Sequence, residues 1–256
     1  MTDFPSTAPS AAPTPEAWTG ASALLFDLDG VLTPTAVVHE QAWQELFDGY
    51  LAETGHSDAD GNGGYRESDY FDFIDGKPRF DGVRDFLASR GITLPEGPTD
   101  DAPGNETVQG LGNRKNLIFN EIVSTRGVEP YAGSVRFIEA AQERGLKLAV
   151  VSSSRNAPAV LKAAGLDGYF PVVVDGQVAA AVGLPGKPDP ATFDYAAQLL
   201  DVPAEECIVV EDAVSGVQAG SAGNFRAVIG VDRGAGRQTL LDAGATLVVD
   251  DLGELL

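Results

Sequence analysis

Cysteine is almost absent: Cys207 is the single thiol among 256 residues. One thiol excludes an internal disulfide and any zinc site built on several thiolates. Because it opens an apolar run, Cys207 reads as a small buried hydrophobe rather than a nucleophile. Cations are scarce as well, with 17 Lys and Arg against 38 Asp and Glu, a formal net charge of -21. A surface of that sign repels phosphate backbones and anionic lipids, which argues against nucleic-acid and membrane partners. No apolar run approaches the ~20 residues of a membrane-spanning helix. Met1–Thr19 lacks the basic start and continuous apolar stretch of a secretory signal. The expectation is a cytoplasmic protein. A small phosphorylated substrate would also be repelled, unless a metal and a few placed cations reverse the field locally.

What is present supports folding. Apolar residues make up 43% of the chain, enough to bury a sizeable core, and the length corresponds to one or two domains. Residues 1–19 hold Pro5, Pro9, Pro13 and Pro15 among Ser, Thr and Ala, a low-complexity tail with no claim to regular structure. Beyond it, Ala23–Phe26 is an apolar run ending abruptly in Asp27. Leu148–Val151, Val172–Val174, Ile208–Val210, Ala227–Ile229 and Leu247–Val249 repeat the pattern. Continuous runs of this length suit strands covered on both faces of a parallel sheet. Helical patterns over Val135–Arg144, Ala157–Ala164, Ala191–Leu200, Val214–Ala222 and Arg237–Ala243 alternate with them. The predicted class is α/β, a doubly wound, Rossmann-like parallel sheet. Between about 37 and 129 the reading changes to helices at Val38–Ala52, Gly82–Arg90 and Asn113–Arg126, with Gly/Asp-rich loops at His56–Gly64 and Pro95–Glu106. The organisation expected is a core of 20–36 and 130–256 with a helical domain, 37–129, inserted after the first strand.

In doubly wound sheets, sites form beyond the carboxyl ends of the strands. The first strand delivers Asp27 and Asp29, the second Ser152, and the fourth Glu211 and Asp212, while Lys187 precedes Pro188 in the connection between strands. Four acids, a hydroxyl and an ammonium at one edge describe a hard-cation site, with Mg²⁺ bound by carboxylate oxygens and shared with a substrate phosphate. A carboxylate there, beside a lysine that offsets phosphate charge, can attack phosphorus. A second carboxylate two residues on can exchange a proton with a substrate hydroxyl. Singly, each of these residues is an ordinary turn, cap or surface residue; their order and placement make the signal.

That order resembles the four motifs of the haloacid dehalogenase superfamily: Asp27-x-Asp29-Gly30, Ser152 after an apolar strand, Lys187-Pro188 and Glu211-Asp212. The resemblance covers nearly everything after residue 20, and the helical insertion matches that superfamily's cap domain. A narrower similarity is to the β-phosphoglucomutase family. It rests on Asp27–Ala36 with His39 and Ala42-Trp43, Arg79 after Gly76-Lys77-Pro78, Arg114-Lys115-Asn116, and Ser152-x-Ser154-Arg155-Asn156. The chain departs from that pattern at Pro34, where the family carries an acid, at Arg155, often lysine, and at Ala191, usually an acid.

The resemblance implies Asp27 as the nucleophile that becomes an aspartyl phosphate and Asp29 as general acid/base. Asp27, the Asp29 backbone carbonyl, Glu211 and Asp212 would form the Mg²⁺ shell. Ser152 and Lys187 would hold the transferring phosphoryl group. Arg79, Ser154, Arg155 and Asn156 would hold a second phosphate, and Thr35, His39 and Lys115 would couple cap closure to Asp29 and the sugar. The implied reaction interconverts β-glucose 1-phosphate and glucose 6-phosphate through a bisphosphate. A sugar-phosphate phosphatase with the same nucleophile and metal, and a non-catalytic phospho-sugar sensor, are the alternatives. No heptads or exposed apolar stripe appear, so a monomer is expected. Trp43 is expected to pack the cap, Trp18 to anchor the tail, and His56 to be solvated.

Overall fold

The computed structural model describes residues 18–55 and 64–256. The low-complexity tail up to residue 17 and the loop that begins at His56 lie outside the described residues. Six strands form one parallel sheet: β1 (Ala23–Phe26), β2 (Lys147–Val151), β3 (Val172–Val174), β4 (Cys207–Glu211), β5 (Ala227–Val231) and β6 (Leu247–Val249). Their spatial order is β3-β2-β1-β4-β5-β6, the doubly wound arrangement. Alternate side chains of a strand point to opposite faces, and here both faces are covered. Leu24, Phe26, Val150 and Val210 enter one core with Phe137 and Leu161. Ala23, Leu25, Ala149 and Val209 enter the other with Phe193 and Val217. This two-sided burial is why the strands read as unbroken apolar runs.

After β1 the chain forms α1 (Thr35–Thr54), a short α2 (Glu67–Asp69) running into a wider-wound turn at Tyr70–Ile74, α3 (Arg79–Ser89) and α4 (Val108–Arg126). These segments share a core of their own around Trp43, Phe47, Phe86 and Leu111, while Ala42, Phe119 and Ile122 join the larger core beside the sheet. The remaining helices are α5 (Ala132–Glu143), α6 (Ala157–Ala163), α7 (Gly176–Val182), α8 (Ala191–Leu200), α9 (Val214–Ala222) and α10 (Arg237–Asp242). Among the described residues no helix is long and apolar enough to cross a membrane. Trp18 is buried and stacks on Phe137 at 4.5 Å, so it fastens the start of the described chain to the core.

The helices of the insertion begin earlier than their apolar patterns, at Thr35, Arg79 and Val108 instead of Val38, Gly82 and Asn113. Helix α7 and the segment Glu67–Ile74 have no such pattern at all. Helix α7 buries none of its residues, so no apolar stripe marks it; Asp175 accepts from the Gln177 and Val178 N–H groups at its start, and Gly183 ends it in a left-handed conformation. The segment Glu67–Ile74 is held by a buried ion pair, Asp69 with Arg90 at 2.5 Å, the side chains 6% and 4% exposed. Asp69 also accepts from the Arg66 N–H. Asp69→Ala leaves a buried guanidinium without its counter-charge. The expected loss is ~3–5 kcal/mol in urea unfolding, and a loss within experimental error would remove the pair from the account of this fold.

Candidate active site

Strands β1 and β4 are neighbours where the strand order reverses, so the ends of both open onto one crevice. The Asp27 N–H continues the pairing of β1 to the Val210 carbonyl. Gly30 then turns the chain with φ +87°, and a Cβ at this position would stand 1.8 Å from Asp212 Oδ2. Glycine is required there both for the backbone and for the space the Asp212 carboxylate occupies.

Lys187 crosses beneath these acids. Its Nζ donates to Asp27 Oδ1 at 2.5 Å, to Glu211 Oε1 at 2.6 Å and to the Val151 carbonyl at 3.2 Å. The other Glu211 oxygen accepts from the Asp212 and Ala213 N–H groups, both at 2.8 Å. A Cβ at Gly216 would meet Glu211 Oε1 at 1.7 Å. Glu211 is therefore enclosed with both oxygens engaged by protein donors. The sequence reading places Glu211 in a metal shell; in the structure its side chain orients Lys187 and the turn after β4 and also lines the pocket with Asp27 and Asp212.

Burial dominates the electrostatics. It raises the Asp27 carboxyl well above the usual carboxylate range despite Lys187, with Glu211 and Asp29 adding repulsion. Asp212 is raised by burial and by Glu211, Asp27 and Asp75, and Asp29 by burial against the hydrogen bond from Thr35. Burial works against the Lys187 charge, but Asp27 and Glu211 outweigh it and hold the ammonium above its ordinary pKa. Among the described residues no three His, Cys, Asp or Glu side chains form a ready-made ligand cluster. The donor chemistry nonetheless suits a hard cation. Asp27 and Asp212 line one pocket, their oxygens are of the kind Mg²⁺ takes, and their mutual repulsion is incompletely offset.

These shifts fix a pH dependence. A raised folded-state pKa means the folded chain retains protons that the unfolded chain has released. Without a divalent cation, stability is fully present below the ordinary carboxylate pKa and is lost as pH rises through the folded pKa values. Adding Mg²⁺ is expected to raise Tm more at pH 8 than at pH 5. Equal gains at both values would contradict a cation on these carboxylates.

Above the acids lies a pocket of about 80 Å³. Asp27, Asp29, His39, Arg79, Lys115, Ser152, Ser154, Arg155, Asn156, Glu211 and Asp212 all line it. Lys187 and Thr35 do not; Lys187 reaches it through Asp27, and the buried Thr35 through Asp29. At the Asp29 end, Oδ1 accepts from the Thr35 hydroxyl and lies 3.6 Å from His39 Nε2. Ser152 Oγ stands 3.4 Å from Oδ2. His39 stacks on Phe119 at 4.0 Å, and its Nδ1 contacts the Lys115 ammonium. Burial, then Lys115 and Arg79, pushes the His39 pKa down, leaving a neutral imidazole. Burial and Arg79 likewise depress Lys115, whose ammonium faces the Trp43 and Phe119 rings at 5.1 and 4.9 Å.

The opposite end holds the two arginines. Arg79 donates to the Gly112 carbonyl at 3.2 Å, and both guanidiniums lie over Phe80, at 5.3 and 5.4 Å. Among the described residues neither pairs with a carboxylate. Burial and the neighbouring Arg155 lower Arg79 to about 10. Asn156 Nδ2 donates to Asn116 Oδ1 at 2.7 Å, joining the loop after β2 to α4. Two further contacts cross between insertion and sheet: Ser153 Oγ donates to the Gly76 carbonyl at 2.9 Å, and Ser215 Oγ to the Asp75 carbonyl at 3.3 Å.

The sequence reading did not single out Asp75 or Tyr70, which also line the pocket. Burial, with the Glu211 charge, pushes Asp75 up to about 7. Neither residue carries a local pattern; the sole pointer is that Asp75 precedes Gly76-Lys77-Pro78-Arg79. Trp43 does both jobs, stacking on Phe47 at 5.4 Å and lining the pocket. Arg114 turns away and pairs with Glu53 at 2.9 Å. Cys207 is buried, and burial raises its thiol to about 11.

Comparison with known proteins agrees with this arrangement. The family model described as haloacid dehalogenase-like hydrolase matches residues 21–224. A β-phosphoglucomutase of Mycobacterium bovis is 46% identical over 238 residues, 91% of each chain. A β-phosphoglucomutase of Bacillus subtilis is 32% identical, again over 91% of each chain. The crystal structure of a β-phosphoglucomutase from Clostridium difficile superposes with a TM-score of 0.73 at 25% identity, covering 92% of this chain and 93% of that one. The fold, the motif order and these matches agree: the chain belongs to the haloacid dehalogenase-like hydrolase family and is an enzyme of its phosphomutase and phosphatase type.

Proposed function

We propose that the enzyme is a phosphomutase that interconverts β-glucose 1-phosphate and glucose 6-phosphate through glucose 1,6-bisphosphate. The observation that carries this reading is the pair Arg79 and Arg155, free of carboxylate partners among the described residues and in the same pocket as Asp27. A mutase binds a bisphosphate with either phosphate at the nucleophile, so it needs a second anion site, and forked guanidiniums suit phosphate oxygens. The 46% identity to the M. bovis β-phosphoglucomutase supports the same substrate class.

Asp27 takes the phosphoryl group onto a carboxylate oxygen as the phosphorus–sugar oxygen bond breaks, and Asp29 supplies a proton to the departing oxygen. In the reverse sense Asp29 removes the proton of the attacking sugar hydroxyl. Its raised pKa suits both directions. Lys187 and Ser152 offset charge on the phosphoryl oxygens. Mg²⁺, held by Asp27, Asp212 and the Asp29 backbone carbonyl, would supply charge neutralisation at the transferring group. His39, kept neutral, and Thr35 hold Asp29 in place, and Lys115 ties that placement to α4. Residues 37–129 act as a cap whose closure keeps water from the aspartyl phosphate. The chain acts as a monomer.

A sugar-phosphate phosphatase is the second reading, favoured by the hydrolase description of the family. The two separate in an assay with Mg²⁺, β-glucose 1-phosphate and a trace of the bisphosphate. Glucose 6-phosphate formed far faster than inorganic phosphate supports the mutase; phosphate release alone, across several sugar phosphates, establishes the phosphatase. Arg79→Ala sharpens the test. Loss of a charged, forked contact to the distal phosphate is expected to lower mutase turnover on the order of 10²-fold, with hydrolysis of an aryl phosphate little changed. Equal losses would remove the distal-phosphate role.

A further inference from the structure

Arg79 and Arg155 also face a second cavity. It measures about 130 Å³ and shares Arg79, Ser152, Ser153 and Arg155 with the active-site pocket. Its remaining surface includes Phe80 and Leu184, and it opens to solvent past the exposed Ala180. Thr192, in the first turn of α8, also lines it.

Charge and hydrogen bonding decide what such a space holds. In a chain of net charge -21, none of the residues lining this cavity is Asp or Glu. The two guanidiniums on its wall make no carboxylate pair among the described residues, and each packs against the Phe80 ring. Thr192 is only 7% exposed, and its Oγ1 has no hydrogen-bond partner. A buried hydroxyl left unpaired costs roughly 1–3 kcal/mol, so a group that accepts from it is favoured there. The N-terminal end of a ten-residue helix adds partial positive charge at the same place. Phe80 and Leu184 make the rest of the wall apolar, which suits a molecule with a carbon body more than a bare inorganic ion.

We propose that this cavity is a second ligand site for a small organic anion. Its carboxylate or phosphoryl head would take the Thr192 hydroxyl and the edges of Arg79 and Arg155, with its carbon body against Phe80 and Leu184. The proposal rests on the reading that Arg79 and Arg155 serve the distal phosphate in the active-site pocket. An occupant of the second cavity engages the same guanidiniums from behind. It therefore competes with the distal phosphate of a sugar bisphosphate; Ser152 and Lys187 also border the cavity, with the Lys187 ammonium already held by Asp27 and Glu211.

Phosphonoacetate is a suitable probe, since its carbon–phosphorus bond gives Asp27 no ester to cleave. Calorimetry on the full chain needs no turnover, so its outcome is independent of whether the enzyme is a mutase. Phosphonoacetate is expected to bind the wild type and to bind about tenfold more weakly to Thr192→Val, which keeps the side-chain shape. Ala180→Trp, at the exposed mouth, is expected to weaken it similarly by obstruction. In steady-state assays the probe should raise KM for the sugar phosphate while leaving aryl-phosphate hydrolysis unchanged, and both variants should relieve that inhibition. No binding to the wild type, or equal binding to all three proteins, overturns the proposal. So does equal inhibition of both substrates, which would place the anion at the Asp27 end.

Discussion

Asp27→Asn is expected to abolish transfer of label from a ³²P-labelled sugar bisphosphate to the protein and to lower turnover by at least on the order of 10⁴-fold. The amide is nearly isosteric, so the geometry around it changes little, but it offers no carboxylate oxygen to phosphorus. A folding defect does not mimic this result. Asp27 is a buried acid whose charged form is disfavoured where it sits, so a neutral side chain relieves repulsion with Asp29 and Glu211. The variant should melt at or above the wild-type temperature, the usual relation at a site strained for chemistry. Label transfer at wild-type stoichiometry would displace Asp27 as nucleophile. A large fall in Tm would show that Asp27 belongs chiefly to the scaffold.

Lys187→Met is expected to damage both activity and stability, because this ammonium has two unlike partners. Its hydrogen bonds to Asp27 and Glu211 are 2.5 and 2.6 Å long, and all three side chains are buried. Methionine fills similar space without charge. Two buried carboxylates then face each other with no cation, and the expected loss is ~3–5 kcal/mol in denaturant unfolding. The pH dependence separates this cause from poor packing. At low pH the orphaned carboxylates protonate and much of the stability returns, whereas a packing defect persists at all pH values. Turnover should fall on the order of 10³-fold through lost stabilisation of phosphoryl charge. A variant as stable as the wild type at pH 8 would contradict the buried triad.

How far the sequence carries such reasoning depends on what each residue needs from elsewhere in the chain. The strands were readable because both faces of the sheet are covered, so each strand is a short, unbroken apolar word ending in a polar residue. Helices α8 and α9 were readable to the residue through their buried faces. Helix α7 was not, since none of its residues is fully buried, with Val178 only partly packed on the core, and it depends on a cap and a terminal glycine. The acids were found by their position after strands, but position alone does not say where oxygens point. Glu211 and Asp212 are adjacent in sequence and both line the pocket, yet the oxygens of the first are engaged by two N–H groups and Lys187. Asp75 and Tyr70 come from a segment with no periodic signal, so only tertiary structure could bring them to the pocket. Thr35 is tied by resemblance to Asp29 and the sugar; its hydroxyl meets Asp29 and Thr33, and it does not itself line the pocket.

The contacts at Asp75 and Gly76 bear on substitution there. Insertion and sheet meet there through main-chain oxygens, received by the hydroxyls of Ser153 and Ser215. A carbonyl is supplied by every amino acid, so the join makes no demand on which side chain stands at position 75. Position 76 is bound to glycine, with φ +70° and a Cβ that would lie 1.9 Å from Ser215 Oγ. The chain thus places a main-chain fastening beside a side chain that takes no part in it. Exchanging the group that Asp75 presents to the pocket would leave both main-chain contacts between the two parts of the enzyme in place.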